Sequence, residues 1–153
     1  AASDVYKRQS EYMLFEKFYE TVTNHKPETD GVNIIDVRGL SFKRYLELSK
    51  LIGEKTAVVT DNDHDYKRHC VDKYSDYAQT NNIKIFFSQD NKQNTFEVVL
   101  YNNNRNLCNE LFGNAALEYM LKNKTESAYQ LLLSEKEIIV PEYIRRAIEW
   151  IKE

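Results

Sequence analysis

Several things are scarce in this sequence, and each scarcity removes a class of protein. Cysteine occurs twice, at Cys70 and Cys108. Neither belongs to a CxxC pair, which argues against a thiolate zinc site. Two isolated cysteines with no secretory signal point instead to reduced, buried thiols in a reducing compartment. No apolar run approaches the roughly 20 residues needed to cross a bilayer. The expectation is a soluble, cytoplasmic protein with no membrane partner. Positive charge is not in excess either: 21 Lys and Arg face 24 Asp and Glu, a net charge of −3. That balance argues against a strong non-specific grip on nucleic acid. It leaves room for an enzyme that holds DNA through metal ions, or whose DNA grip lies on another domain. Internal repeats and low-complexity linkers are missing too. What remains is a chain of 153 residues, 42% hydrophobic, enough for one domain of ordinary size with its own core.

The first nine residues, AASDVYKRQ, show no clear periodicity and lack the apolar centre of a signal peptide. They read as a scar or translated adapter sequence, so residues 1–9 are set aside and the domain is taken as 10–153. From Ser10 to Thr23, Met13, Leu14, Phe18 and Val22 follow helical spacing, with Ser10 as candidate N-cap. Residues 24–31 carry Pro27, Asp30 and Gly31, which is loop chemistry. Val32–Val37 (VNIIDV) is β-branched and predicts a strand. Gly39 follows, and Ser41 is placed to cap a helix to Ile52, ended by Gly53. Thr56–Thr60 (TAVVT) predicts a strand suited to burial on both faces. A helix is expected over Tyr66–Thr80, a strand over Ile83–Phe87 and a polar loop over Gln89–Asn94. Thr95–Tyr101 fits either strand or helix. From Arg105 the pattern is helical, with Pro141 starting a last helix through Trp150. Strands alternating with helices imply an α/β fold, with a mostly parallel sheet flanked by helices and a helical C-terminal part.

In such sheets ligands sit beyond the carboxyl ends of the strands. Asp61-Asn62-Asp63-His64-Asp65 lies at one of those ends. Three carboxylates at alternate positions repel one another. Two unit charges about 4 Å apart cost roughly 4 kcal/mol at an effective dielectric near 20. A divalent cation removes that cost, and carboxylate oxygens suit Mg²⁺, Mn²⁺ or Ca²⁺. The plainer reading is a solvated turn whose acids cap the next helix. An EF-hand loop is rejected: its sixth position would be Tyr66 instead of Gly, its twelfth Asp72 instead of Glu, and a strand precedes it. A strand ending in DxD also fits phosphatases of the haloacid-dehalogenase type, with Asp61 as nucleophile, so a DxD-type phosphohydrolase stays open. A catalytically inactive interaction module is the third class.

TAVVTDND resembles the DxD strand of Toprim domains. NIIDVRGLSFKRYLELSKLIG is similar to the second strand and helix of the Toprim domain in OLD-family (overcoming lysogenization defect) ATP-dependent endonucleases. NTFEVVLY and NKTESAYQLLL resemble the downstream metal-site and lysine segments of that family. The resemblance covers nearly everything from Ser10 onward and implies a Toprim, Rossmann-like fold. It implies a metal-dependent DNA endonuclease that uses two Mg²⁺ or Mn²⁺ ions, with Ca²⁺ as a further option. Glu11, Asp61 and Asp63 would then ligate metal. Thr95 and Glu97 would complete a second metal position, and Lys124 would stabilise charge at the scissile phosphate. His64 and Asp65 would be supporting or surface residues, and His25 and His69 surface or packing residues.

The sequence also departs from the family. A first apolar strand ending in a V-E-G-x-x-E motif is expected before the helix. Glu11 matches its second glutamate, but Lys7 stands at the place of the first, and SDVYKRQ replaces the strand. The domain is therefore expected to be incomplete at its first strand, with impaired fold and activity, and Val5 and Tyr6 are candidates for a makeshift strand. Family members carry an N-terminal ABC-type ATPase. No GxxxxGK[ST] motif occurs here, so that partner domain is expected to be absent from this chain. DNA is the expected substrate, and homo-oligomerisation through the full-length protein is left open.

Overall fold

The computed structural model describes residues 2–37 and 41–153, with side chains at 11–37 and 42–153. The expected turn at Gly39 and the capping hydroxyl of Ser41 lie outside that description. The chain divides into two compact units: residues 1–34 with 95–141, and residues 35–94 with 142–153. Among the described residues no helix is long and apolar enough to cross a membrane.

The first unit is helical. Helix α1 (Ala2–Thr23) starts well before Ser10, so Ser10 is interior and not a cap. Val5 and Tyr6 are helical and form no strand. The segment before Glu11 contains Ala, Lys, Arg and Gln, all good helix formers, which makes the longer helix reasonable. α1 buries Leu14, Phe18 and Tyr19 and packs on α6 (Lys124–Leu133). It ends where Asn24 takes a left-handed conformation at φ 61°, a geometry Asn tolerates better than most residues. A 3₁₀ turn follows at Pro27–Asp30. The Tyr19 hydroxyl donates to Asp30 Oδ2 at 2.8 Å, and His25 Nδ1 lies 3.0 Å from Asp30 Oδ1. Burial, and then Asp30, push the Tyr19 hydroxyl up to about 12. This tyrosine stays protonated and keeps the turn on the helix.

The rest of this unit is α3 (Phe96–Asn103), α4 (Arg105–Phe112), α5 (Ala116–Lys122) and α6. Thr95 decides the ambiguous segment in favour of helix. Its backbone is extended and its hydroxyl accepts the Val98 N–H, an N-cap. Phe96 then meets Phe18 edge-on, with ring centroids 6.1 Å apart. Asn104 is buried between α3 and α4. Its amide donates to the carbonyls of Leu100 and Ile139, and its Oδ1 accepts the Ile139 N–H at 2.7 Å. One side chain thus completes the backbone hydrogen bonding of the extended segment after α6.

The second unit holds the sheet. β1 (Thr56–Val59) and β2 (Ile83–Phe86) pair in parallel, with Thr56 opposite Ile83 and Val59 opposite Phe86. Alternation along the strands puts Val58, Ile83 and Ile85 on one face. They pack with Leu46 and Phe42 of α2 (Ser41–Ile52) and with Tyr74 and Tyr77. Phe86 points to the other face and meets Trp150 of α7 (Glu142–Lys152), with centroids 6.0 Å apart. α7 buries Tyr143, Ile144, Ala147 and Ile148, an i, i+1, i+4, i+5 stripe that faces one side. A parallel pair with a helix on each face is the α/β arrangement expected.

Three expectations need correction. Val32–Val37 is not a strand: the Val32 N–H closes back on Pro27 O at 2.9 Å, and Ile35 is half exposed. β-branching favours a ladder only when a partner edge is offered. Tyr66–Thr80 is not a regular helix. Lys67–Asp72 is a widened turn, with Lys73 N–H bonding Arg68 O, and a 3₁₀ turn follows at Ser75–Tyr77. That path brings Tyr74 and Tyr77 to α2, where the Tyr77 hydroxyl donates to Glu47 Oε1 at 2.9 Å. Finally, β1 is half-buried along its length and not fully buried.

The Asn104 anchor yields a direct test. Asn104→Ala strands a buried N–H and two carbonyls, so it is expected to cost about 2–3 kcal/mol in urea unfolding. Asn103→Ala, which loses one bond within its own helix, is expected to cost under about 1 kcal/mol. Equal costs for the two variants would refute the anchoring role.

Candidate metal centre

The chain leaves β1 at Thr60 and turns through the acidic run. Asp61 is half-buried, Asn62 buried and Asp63 exposed. Asp63 and His64 both sit at positive φ, 47° and 72°. Left-handed backbone is costly for most residues, although Asp and His visit it more readily. Asn62 offsets that cost. Its Oδ1 accepts the His64 N–H at 3.1 Å, and its carbonyl accepts the Asp65 N–H at 2.9 Å.

The Asn62 amide group reaches the loop after β2, where it donates to Ser88 O at 2.9 Å and Asp90 O at 3.0 Å, with Gln93 O at 3.3 Å. The Asp63 N–H donates to Asn94 O at 3.3 Å, and the Tyr66 N–H to Asn91 Oδ1 at 2.9 Å. The receiving loop is itself tied: Asp90 accepts from the Lys92 N–H and the Gln93 amide. Those two donors, the backbone one first, hold its carboxyl below the usual range. The ring of Tyr66 stacks on Phe87 at 5.8 Å. The loops at the carboxyl ends of the two parallel strands are thereby fixed to each other, where ligands of such sheets bind.

Cys70 lies close to this bend. Its thiol donates to Asp61 O at 3.4 Å. Burial first, then the charges of Asp63 and Asp61, push the thiol up to about 12, against a small opposing effect of Lys73. Cys70 is therefore an inert packing thiol. Asp65 behaves differently: its Oδ1 accepts the Arg68 N–H at 3.2 Å. It caps the widened turn, which is the plainer role for the third acid of DxDxD.

The remaining candidates belong to the helical unit. Glu97, in the first turn of α3, is 5% exposed. Lys124, the first residue of α6, places Nζ 3.8 Å from Glu97 Oε2. The structure thus brings these two together. Thr95, two residues before Glu97, has its hydroxyl engaged as the α3 cap. Glu11 is half-buried on α1, the helix that packs on α6. His25 pairs with Asp30, and His69 is half-buried in the widened turn. Asp61 and Asp63 belong to one unit, and Glu11, Thr95, Glu97 and Lys124 to the other. Within neither unit do three His, Cys, Asp or Glu side chains of the described residues group as a metal site.

The donor types nevertheless suit a hard divalent cation. The candidates offer carboxylate and hydroxyl oxygen, with no thiolate among them. Glu97 is a carboxylate held inside the protein, and a buried charge demands a counter-charge. Sequence reasoning missed Asn62, which organises the bend. Its only signal was an Asn between two Asp after a strand, a residue that tolerates turns and pairs with backbone groups.

Asn62→Ala is expected to cost about 1–3 kcal/mol. It should also raise amide hydrogen exchange over residues 88–94 while leaving the helical unit's exchange unchanged. Unchanged protection at 88–94 would show that Asn62 does not hold the two loops.

No curated protein and no solved structure matches the chain. Residues 9–63 match the family described as overcoming lysogenization defect protein-like, TOPRIM domain. The matched stretch begins just before Glu11 and ends on Asp63, so it takes in Glu11 of α1 and the DxD at the end of β1. TOPRIM domains are nuclease- or primase-type catalytic domains that bind divalent metals. Over these residues, about a third of the chain, the sequence is similar to the OLD-like TOPRIM family.

Proposed function

We propose that this chain is the DNA-cleaving part of an OLD-family ATP-dependent endonuclease, a phosphodiester hydrolase that works with Mg²⁺ or Mn²⁺, or with Ca²⁺ as a further option. The observation that carries the reading is Asp61-Asn62-Asp63 fixed at the carboxyl end of a parallel strand within the family match. Glu11, Asp61, Asp63, Thr95 and Glu97 are the ligands in this reading. Bound divalent ions would supply an activated water and relief of charge on the leaving oxygen.

The chain's own residues do the rest. Asn62 holds the two aspartates against their mutual repulsion, so the acids are presented before any ligand arrives. Lys124 brings a positive charge to the phosphate as it becomes more negative. Thr95 would serve both as cap of α3 and as an oxygen donor. DNA is the substrate, and an ABC-type ATPase domain is the partner. A net charge of −3 gives little non-specific attraction to DNA, so metal ions and the partner have to provide it.

The residue at the place of the family's first glutamate is Lys7, which puts a positive charge where an acid is expected. The chain as it stands is therefore a weak nuclease. The test replaces residues 1–9 with an apolar strand ending in Val-Glu-Gly plus one spacer residue, adds the ATPase domain, and measures nicking of supercoiled DNA with Mg²⁺ or Mn²⁺. Nicking is expected to rise at least about tenfold after the exchange and to vanish with Asp61→Ala; a tenfold change corresponds to about 1.4 kcal/mol of transition-state stabilisation. Equal nicking before and after the exchange would sink the role of the missing glutamate. Hydrolysis of a small phosphate monoester without any nicking would make the chain a DxD-type phosphohydrolase. Neither activity in any form would make it an interaction module.

A further inference from the structure

The outer edge of β2 lies open beside α7. The Thr56 N–H donates to Asn82 O at 2.7 Å and the Thr60 N–H to Phe86 O at 3.1 Å. With Ala57 opposite Lys84 and Val59 opposite Phe86, these bonds turn the backbone groups of Lys84 and Phe86 toward β1. Those of Ile85 and Phe87 point the other way, and none of the described residues bonds them. An open edge is a template for a further strand. A groove of about 370 Å³ runs beside it, with β2 on one side and Arg146, Glu149 and Trp150 of α7 on the other. From Arg146 to Glu153, which also lines it, one flank of the helix spans about 10 Å. That is the length of about three extended residues. The charges of this lining are unevenly satisfied. Arg145 pairs with both Glu142 and Glu149, at 2.7 and 2.8 Å. Exposed Arg146 has no ion pair among the described residues. Neither has Lys84, whose ammonium lies 5.5 Å from the centre of the Phe86 ring. Glu149 being paired, the two cations face one unpaired acid, Glu153. The rings are already engaged: Trp150 carries Lys55 Nζ at 4.6 Å and meets Phe86, and Phe87 stacks on Tyr66. That disfavours a stacked nucleobase and leaves the backbone edge as the recognising element.

We propose that this groove takes an extended segment of a partner protein, added as a third strand on the β2 edge, with an acidic side chain directed at Arg146 and Lys84. Main-chain hydrogen bonds to Ile85 and Phe87 supply affinity, and alternate side chains supply specificity. Side chains two residues apart fall on one face of a strand. The recognised motif is therefore an acid with an apolar residue two positions away, the apolar one packing on Phe86 and Trp150. The unpaired charges select the sign: they attract an acidic segment and repel a basic one. Groove, edge and cations all belong to one compact unit, and no metal ion takes part.

The experiment uses the whole chain and a heptapeptide, Thr-Val-Thr-Glu-Thr-Val-Thr, with fluorescein at its amino end and an amide at the other. Fluorescence anisotropy is expected to show saturable binding with Kd below about 1 mM. Amide exchange at Ile85 and Phe87 should slow at least about threefold in the complex, while that at Ala57 and Val59, on the opposite edge, does not change. One control peptide is N-methylated at Val and Glu, another at the two interior Thr. A strand pairs along one edge through every second residue, so only one of the two should bind. Arg146→Glu should weaken the heptapeptide at least about fivefold and strengthen the same peptide with Lys in place of Glu. No saturable binding, or like behaviour of the two N-methylated peptides, would overturn the proposal. Sedimentation as a dimer with Ile85 and Phe87 already protected would overturn it in favour of a second copy on the edge. Binding of oligodeoxythymidylate and not of the peptide would overturn it in favour of nucleic acid.

Discussion

The Asn62 side chain holds together the end of the sheet that carries the DxD. It turns a strand end, a strained bend and a polar loop into one piece. The bend puts two consecutive residues, Asp63 and His64, into left-handed backbone, at a cost of order 1–3 kcal/mol each. The amide of Asn62 meets that cost by closing the bend on one side and binding carbonyls of the 88–93 loop on the other. Without it, two aspartates after a strand would drift apart into solvent to lower their repulsion. With it, the turn that carries them is held to the 88–93 loop, and the Asp61 carbonyl accepts the buried Cys70 thiol. A hard cation bound there would relieve the repulsion between the two acids.

The same electrostatic logic runs through the helical unit with a different answer. There a single buried glutamate faces a lysine. The Lys124 ammonium, 3.8 Å from Glu97 Oε2, gives the buried carboxylate positive charge nearby.

Much of this was legible in the sequence, for a physical reason. β1, β2, α2 and α7 rest on local patterns, β-branched runs and an amphipathic stripe, and each bounds itself within a residue or two. The errors lie where a partner decides. Val32–Val37 has strand composition, but the Val32 N–H goes to Pro27. Tyr66–Thr80 has helical composition, but Tyr74 and Tyr77 are drawn to α2 and distort the path. Thr95 was ambiguous because a cap and a strand residue look alike until the Val98 N–H is seen to point at its hydroxyl. Of the site, the acids at 61 and 63 stood out because they end a strand. Asn62 was hidden because its partners are 26 to 31 residues away. The proximity of Lys124 to Glu97 was equally hidden, since four helices take part in bringing the two segments together.

The central claim is that Asp61, Asp63 and Glu97 take up divalent cations in the folded chain. Mn²⁺ is paramagnetic and broadens amide resonances close to it. A titration with Mn²⁺ well below stoichiometric amounts, followed by two-dimensional nitrogen–proton NMR, therefore reads the ligands directly. The account predicts early loss of the amide signals at residues 61–65 and 96–98, with the signals of α7 unaffected and every loss reversed by excess Mg²⁺. Uniform weak broadening over the whole acidic surface, or early loss confined to segments that contain none of these three acids, would contradict it.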